Sequence, residues 1–168
     1  MKREFASLEP FEALHVGIFI EERNARIYEN FAHIFAEFRD AESEAIACAF
    51  REMAAEERRH GSTLQQRYVE RFGTRSCSLT DQDIADLVEV PELTDGEMFI
   101  LGRIPPEKAL EVALGAERQA RRFYLRLTEL TRDPLLRSLY QEFAEFERDH
   151  EEFIEQKLAE RRPAREGG

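Results

Sequence analysis

Apolar residues recur along this chain at intervals of three and four over four long stretches, and no alternation with period two persists. The first stretch covers about residues 10–38 and the second about 40–71, with Gly73 as a natural stop. The third covers about 106–131 and opens on "IPPEKAL", which puts proline in the first turn. The fourth covers about 133–161 and opens on "DPLL", with Asp133 as N-cap and Pro134 at the first helical position. β-branched residues are sparse, so the pattern predicts an all-α chain.

The connections set the topology. "TRDP" leaves only a tight turn between the last two helices, which makes them antiparallel neighbours. The first two are also closely linked, although no Gly or Pro marks their junction. Residues 73–105, richer in Thr, Asp, Pro and Gly, form a long crossover, within which "LTDQDIADLV" predicts a short helix capped by Thr80. Two helical hairpins joined by one crossover describe a four-helix bundle. The whole of residues 1–168 reads as a single domain with a flexible tail at 162–168.

Two of the hydrophobic seams are interrupted in the same way. Ile46, Phe50, Met53, Glu57, His60 and Leu64 follow one inward stripe, and so do Leu136, Tyr140, Phe143, Glu147, His150 and Ile154. Glu and His stand in both where Leu or Ile would be expected. The other two helices share a second pattern. Leu14, Ile18, Glu21, Ala25, Tyr28 and Ala32 lie on one face, as do Leu110, Ala113, Glu117, Ala120, Tyr124 and Leu127. Residues 21–60 and 117–150 are thus two diverged copies of one unit, E-x6-Y followed by E-x-x-H on the next helix.

The repeat separates neighbouring candidates. Glu57 is preferred to Glu56, because the residue matching Glu56 in "FERDH" is Phe146, and Glu21 is preferred to Glu22 by its spacing to tyrosine. Glu22 and Glu56 then read as exposed-edge residues. His15 and His33 have no counterparts in the other half and read as surface or boundary positions.

Four carboxylates and two imidazoles inside one bundle need compensation, because each buried unpaired charge costs several kcal/mol. Two divalent cations balance Glu21, Glu57, Glu117 and Glu147. Oxygen and imidazole donors suit iron or manganese better than zinc. One Glu from each of two helices plus Glu-x-x-His from the other two is a di-metal carboxylate constellation. Tyr28 and Tyr124 read as hydrogen-bond donors to the ligand carboxylates or as electron donors; the alternative is a core aromatic satisfied locally.

Composition adds exclusions. A net charge of −11 argues against nucleic acid and anionic lipid as partners. No apolar run approaches the length needed to cross a bilayer, so no membrane insertion is expected. Cys48 and Cys77 form no C-x-x-C pair, which excludes a four-cysteine metal site and supports a cytoplasmic location. Cys48, within "AIACAF", reads as a small buried filler.

The segments "EERNARIYENFA", "EMAAEERRH", "AERQARRFY" and "EFAEFERDHEEF" resemble the rubrerythrin branch of the ferritin-like superfamily over about residues 8–160. They are especially similar to the ferritin-like domains at the front of certain membrane-anchored rubrerythrins. The resemblance implies a ferritin-like bundle with two iron ions per chain, manganese or a mixed pair being alternatives, oxidised from Fe(II) by hydrogen peroxide or dioxygen. It also implies Glu21, Glu57, His60, Glu117, Glu147 and His150 as ligands, with Glu57 and Glu147 bridging and Glu21 and Glu117 terminal. Three departures stand out. There is no rubredoxin domain, so a separate electron donor is expected. Ala120 replaces an extra family glutamate, which brings the ligand set closer to a bacterioferritin-type oxidase. Nor is there a membrane segment. Three function classes follow: a rubrerythrin-type oxidoreductase, a ferroxidase or iron-binding module, and a non-enzymatic protein with a structural or sensing metal pair. A homo-oligomer, dimer or larger, is expected with any of them.

Overall fold

The computed structural model describes residues 5–88 and 105–161. The tail at 162–168 and residues 89–104 of the crossover lie outside the described residues. A 3₁₀ turn at Phe5–Ser7 leads into α1, Pro10–Ala36, then α2, Ala41–Phe72, and a short α3, Asp81–Leu87. After the crossover come α4, Pro106–Leu130, and α5, Pro134–Arg161. Among the described residues there is no strand.

Local chemistry accounts for the helix ends. Glu9 and Glu12 form a capping box at α1, where Pro10 occupies the first turn. Asp40 accepts from the Ser43 amide at 2.8 Å and so starts α2. Asp133 accepts from the amides of Leu135 and Leu136 at 2.9 and 3.2 Å and starts α5. Thr80 and Asp83 cap α3 reciprocally, as the sequence predicts for Thr80. The α1–α2 junction turns without glycine because Arg39 itself takes the left-handed conformation, φ 55°. Gly73 ends α2 with φ 62° and ψ −133°, a positive-φ conformation open to glycine.

The architecture is the ferritin-like four-helix bundle, with α1 packed on α2, α4 on α5, and α1 also touching α4. Its apolar core falls into two clusters. One gathers Leu14, Leu64, Tyr68, Leu127, Tyr140 and Phe143, and the crossover joins it through Leu79, Ile84 and Val88. The other gathers Phe31, Phe35, Phe50, Leu110, Ile154 and Leu158. Each fully buried aromatic or aliphatic side chain contributes roughly 1.5–3 kcal/mol. Between the clusters, at mid-height on all four long helices, lies a band of buried polar groups. Cys48 is a correction: it is exposed, its thiol 3.9 Å from Glu52, because it sits on the outer face of α2 beside buried Ala47.

Candidate metal centre

The polar band contains all six residues that interrupt the seams. Glu21, Glu57, Glu117 and Glu147 are each 0 % exposed, and His150 is buried at 8 %. His60 is nearly so, with 15 % of its side chain exposed. One donor atom from each of Glu21, Glu57, His60 and Glu147 lies within 4.8 Å of the others, and the same holds for Glu57, Glu117, Glu147 and His150. The two groups overlap on Glu57 and Glu147. Each histidine turns Nδ1 inward: His60 Nδ1 is 3.3 Å from Glu21, and His150 Nδ1 is 3.0 Å from Glu57 and 3.5 Å from Glu117.

The tyrosines join the halves reciprocally. The Tyr28 hydroxyl donates to Glu117 Oε1 and the Tyr124 hydroxyl to Glu21 Oε1. Each crosses between α1 and α4, which run antiparallel at this height so that Glu21 meets Tyr124 and Tyr28 meets Glu117. Burial, then repulsion from the nearby glutamates, pushes both phenols well above their ordinary range, so they remain protonated donors.

The carboxylates carry the electrostatic cost. Glu57 and Glu147 are pushed well above the usual carboxylate range, first by burial and then by neighbouring glutamates. Burial also opposes ionisation of Glu117, but the close approach of Glu147 and His150 and the Tyr28 hydrogen bond hold it below its ordinary value. Burial works against a charged His150 too, yet the Glu117 and Glu57 contacts overcome this and raise it to about 12. Both oxygens of Glu57 and of Glu147 lack a hydrogen-bond partner, as do Glu21 Oε2, Glu117 Oε2 and the Nδ1 atoms of both histidines. Such a set of convergent, orphaned, buried donors fits a pair of divalent cations, which would satisfy all of them at once.

Sequence pattern missed two neighbours of this centre. Arg23 is buried on α1, donates to Asn24 at 3.3 Å, and lies within electrostatic reach of Tyr28, Glu117 and Glu21. Its burial lowers its pKa, while those three groups favour its charge. The signal was present, since Arg23 follows Val16 and Ile20 on a second buried stripe of α1. Glu56 is the other: rather than only facing outward, it reaches His150. His15 is half-buried and His33 exposed, and neither joins the cluster.

Gly17, one turn before Glu21, is a close-approach position. A Cβ there would stand 3.2 Å from Leu64 and 3.3 Å from the Tyr124 hydroxyl. The Tyr124 hydroxyl is held by Glu21 and cannot retreat freely. Gly17→Ala is therefore expected to destabilise by about 1 kcal/mol, overpacking exceeding the gain in helix propensity. In a Tyr124→Phe background the same change is expected to cost less, because the hydroxyl contact is gone while the Leu64 contact stays. Urea denaturation of the four variants checks this; equal effects in both backgrounds would refute the contact's role.

The rubrerythrin family's sequence profile matches residues 12–98 and 108–167, and the chain belongs to that family. Its fold is similar to the crystal structure of an uncharacterised conserved protein from Magnetospirillum magnetotacticum MS-1. The two chains are 22 % identical, with a TM-score of 0.74 covering 91 % of this chain and 95 % of that one. Among curated proteins no match was found. Family and donor set together support a di-iron protein. No helix among the described residues is long and apolar enough to cross a membrane.

Proposed function

We propose that this chain is a di-iron oxidoreductase of the rubrerythrin type, oxidising Fe(II) while hydrogen peroxide or dioxygen is reduced. The observation that carries the reading is the overlap of two buried donor groups on Glu57 and Glu147. These two carboxylates would bridge, with Glu21 and His60 completing one position and Glu117 and His150 the other. When bound, two Fe(II) ions supply one electron each, and peroxide that accepts both with two protons leaves as two waters.

The chain's own residues prepare the site for that chemistry. Tyr28 and Tyr124 hold one oxygen each of Glu117 and Glu21, leaving the other oxygen directed inward. Apolar clusters on either side keep bulk water out. The His60 edge, more exposed than any of the four glutamates, is the short way in for a small oxidant. A separate electron donor returns the centre to its reduced state.

Rapid mixing of the Fe(II)-loaded, oxygen-free protein with peroxide or dioxygen tests the proposal. Oxidation is expected at least about tenfold faster than for the same iron in buffer, equivalent to about 1.4 kcal/mol off the barrier. A rate equal to that of free iron with both oxidants would overturn it. One observation favours iron handling as a second reading: Ala120, fully buried one turn after Glu117, offers no further carboxylate. Uptake that continues past two iron ions per chain would favour that reading, whereas a firm stop at two favours the oxidoreductase.

A further inference from the structure

The two half-repeats place their donors alike but differ beside the histidines. Glu56 precedes Glu57 on α2, and the matching position on α5 is Phe146. Glu56 Oε2 lies 2.9 Å from His150 Nε2, on the side of the ring away from the carboxylate cluster. Phe146 instead stacks on His60, ring centroids 4.7 Å apart and planes at 11°. Among the described residues no hydrogen bond reaches His60 Nε2. One histidine thus has a carboxylate at its outer nitrogen, and the other has an apolar ring against its face.

We propose that Glu56 makes the two metal positions unequal, so that the Glu117–His150 position binds its ion more tightly than the Glu21–His60 position. This rests on the di-metal reading above. With Nδ1 directed at the metal, the His150 Nε2–H donates to Glu56, which fixes the tautomer and the ring orientation. The partner carboxylate also makes the imidazole a stronger donor. Phe146 can hold the plane of His60 but supplies neither an acceptor nor charge. Glu56 can be changed without opening the core, because 44 % of its side chain is in solvent. Its other oxygen lies 3.4 Å from Arg59 on the same helix, leaving Oε2 for the histidine. Glu56 is a positioning residue, acting on the metal through His150.

The test is calorimetric titration of the metal-stripped full chain with Co(II). Wild type is expected to take up two ions in separable steps. Glu56→Ala is expected to weaken the tighter step by about ten- to a hundredfold and leave the weaker one in place. Glu56→Gln, which keeps an acceptor without the charge, is expected to fall between. Proton NMR of the Co(II) form adds a readout that a merely structural role would not move: a slowly exchanging, paramagnetically shifted His150 Nε2–H in wild type, lost in Glu56→Ala. Two ions bound with unchanged affinities in Glu56→Ala, or two equal steps in wild type, would overturn the inference while leaving the di-metal site standing. Fewer than two Co(II) bound by wild type would instead overturn the di-metal reading itself.

Discussion

Replacing Glu57 and Glu147 together by glutamine is expected to raise the melting temperature of the metal-free protein at pH 8 and to abolish its stabilisation by added metal. Both side chains are fully buried, and neither has a hydrogen-bond partner at either oxygen. Glutamine keeps the shape and is neutral in both states, so the folded chain no longer has to hold protons that the unfolded chain has released. Its amide donors would meet acceptors that now lack partners, Glu21 Oε2 and Glu117 Oε2. Removing the cost of burying these ionisable groups is worth about 1–4 kcal/mol, or roughly 3–12 °C for a chain of this length. The loss is equally definite. Wild type at a metal concentration a hundred times Kd gains about 2.7 kcal/mol from binding, and the double variant gains nothing. Thermal melts with and without Mn(II), together with elemental analysis, separate the outcomes. A variant that melts lower than wild type without metal, or still binds two ions, would refute this account. A structural staple, by contrast, predicts that wild type stripped of metal is already unfolded.

How much of this was legible in the sequence follows from what periodicity can carry. Helix ends come within two residues of the expected bounds because Asp133, Gly73 and the prolines act locally, through the backbone groups next to them. The clustering of the four glutamates and two histidines was legible because a buried charge on an apolar stripe is rare, and here it recurs in register in two halves. Partnerships across helices were not. The spacing E-x6-Y puts Tyr28 two turns, about 10.5 Å, from Glu21 on its own helix, beyond reach of a hydroxyl. Each tyrosine bonds the glutamate of the opposite half instead, and only the antiparallel packing of α1 on α4 reveals this. Glu56 was hidden for a related reason. Matching the halves sets aside whatever the halves do not share, and Glu56 has an aromatic counterpart. A long side chain at a helix edge can reach back over its neighbour, as Glu56 does to His150, without leaving any mark on the period. Arg39 had no signal at all, since nothing in an arginine announces a left-handed turn.

Raising the pH from 6 to 8 is expected to destabilise the metal-free protein and to stabilise the metal-loaded one. In the metal-free cluster Glu57 and Glu147 have raised pKa values, so the folded chain holds protons there that the unfolded chain has already released. His150, raised to about 12, acts in the same direction once the pH passes the ordinary imidazole value. Stability from a raised group is complete below its unfolded pKa and is lost as the pH climbs through the folded one. Each proton held only by the folded state therefore removes about 1.4 kcal/mol per pH unit over this interval. Glu117, held low, is ionised in both states above pH 6 and contributes no slope. Metal binding reverses the sign. Bound carboxylates must be ionised and bound imidazoles neutral at the donor nitrogen, so loading expels these protons and is favoured as pH rises. Melting curves at pH 6, 7 and 8 with EDTA or with excess Mn(II) should therefore diverge, and the weakly buffered protein should acidify its solution on loading. Parallel curves would mean that metal does not displace protons from Glu57, Glu147 and His150, and that the orphaned donors at the centre of the bundle have another partner.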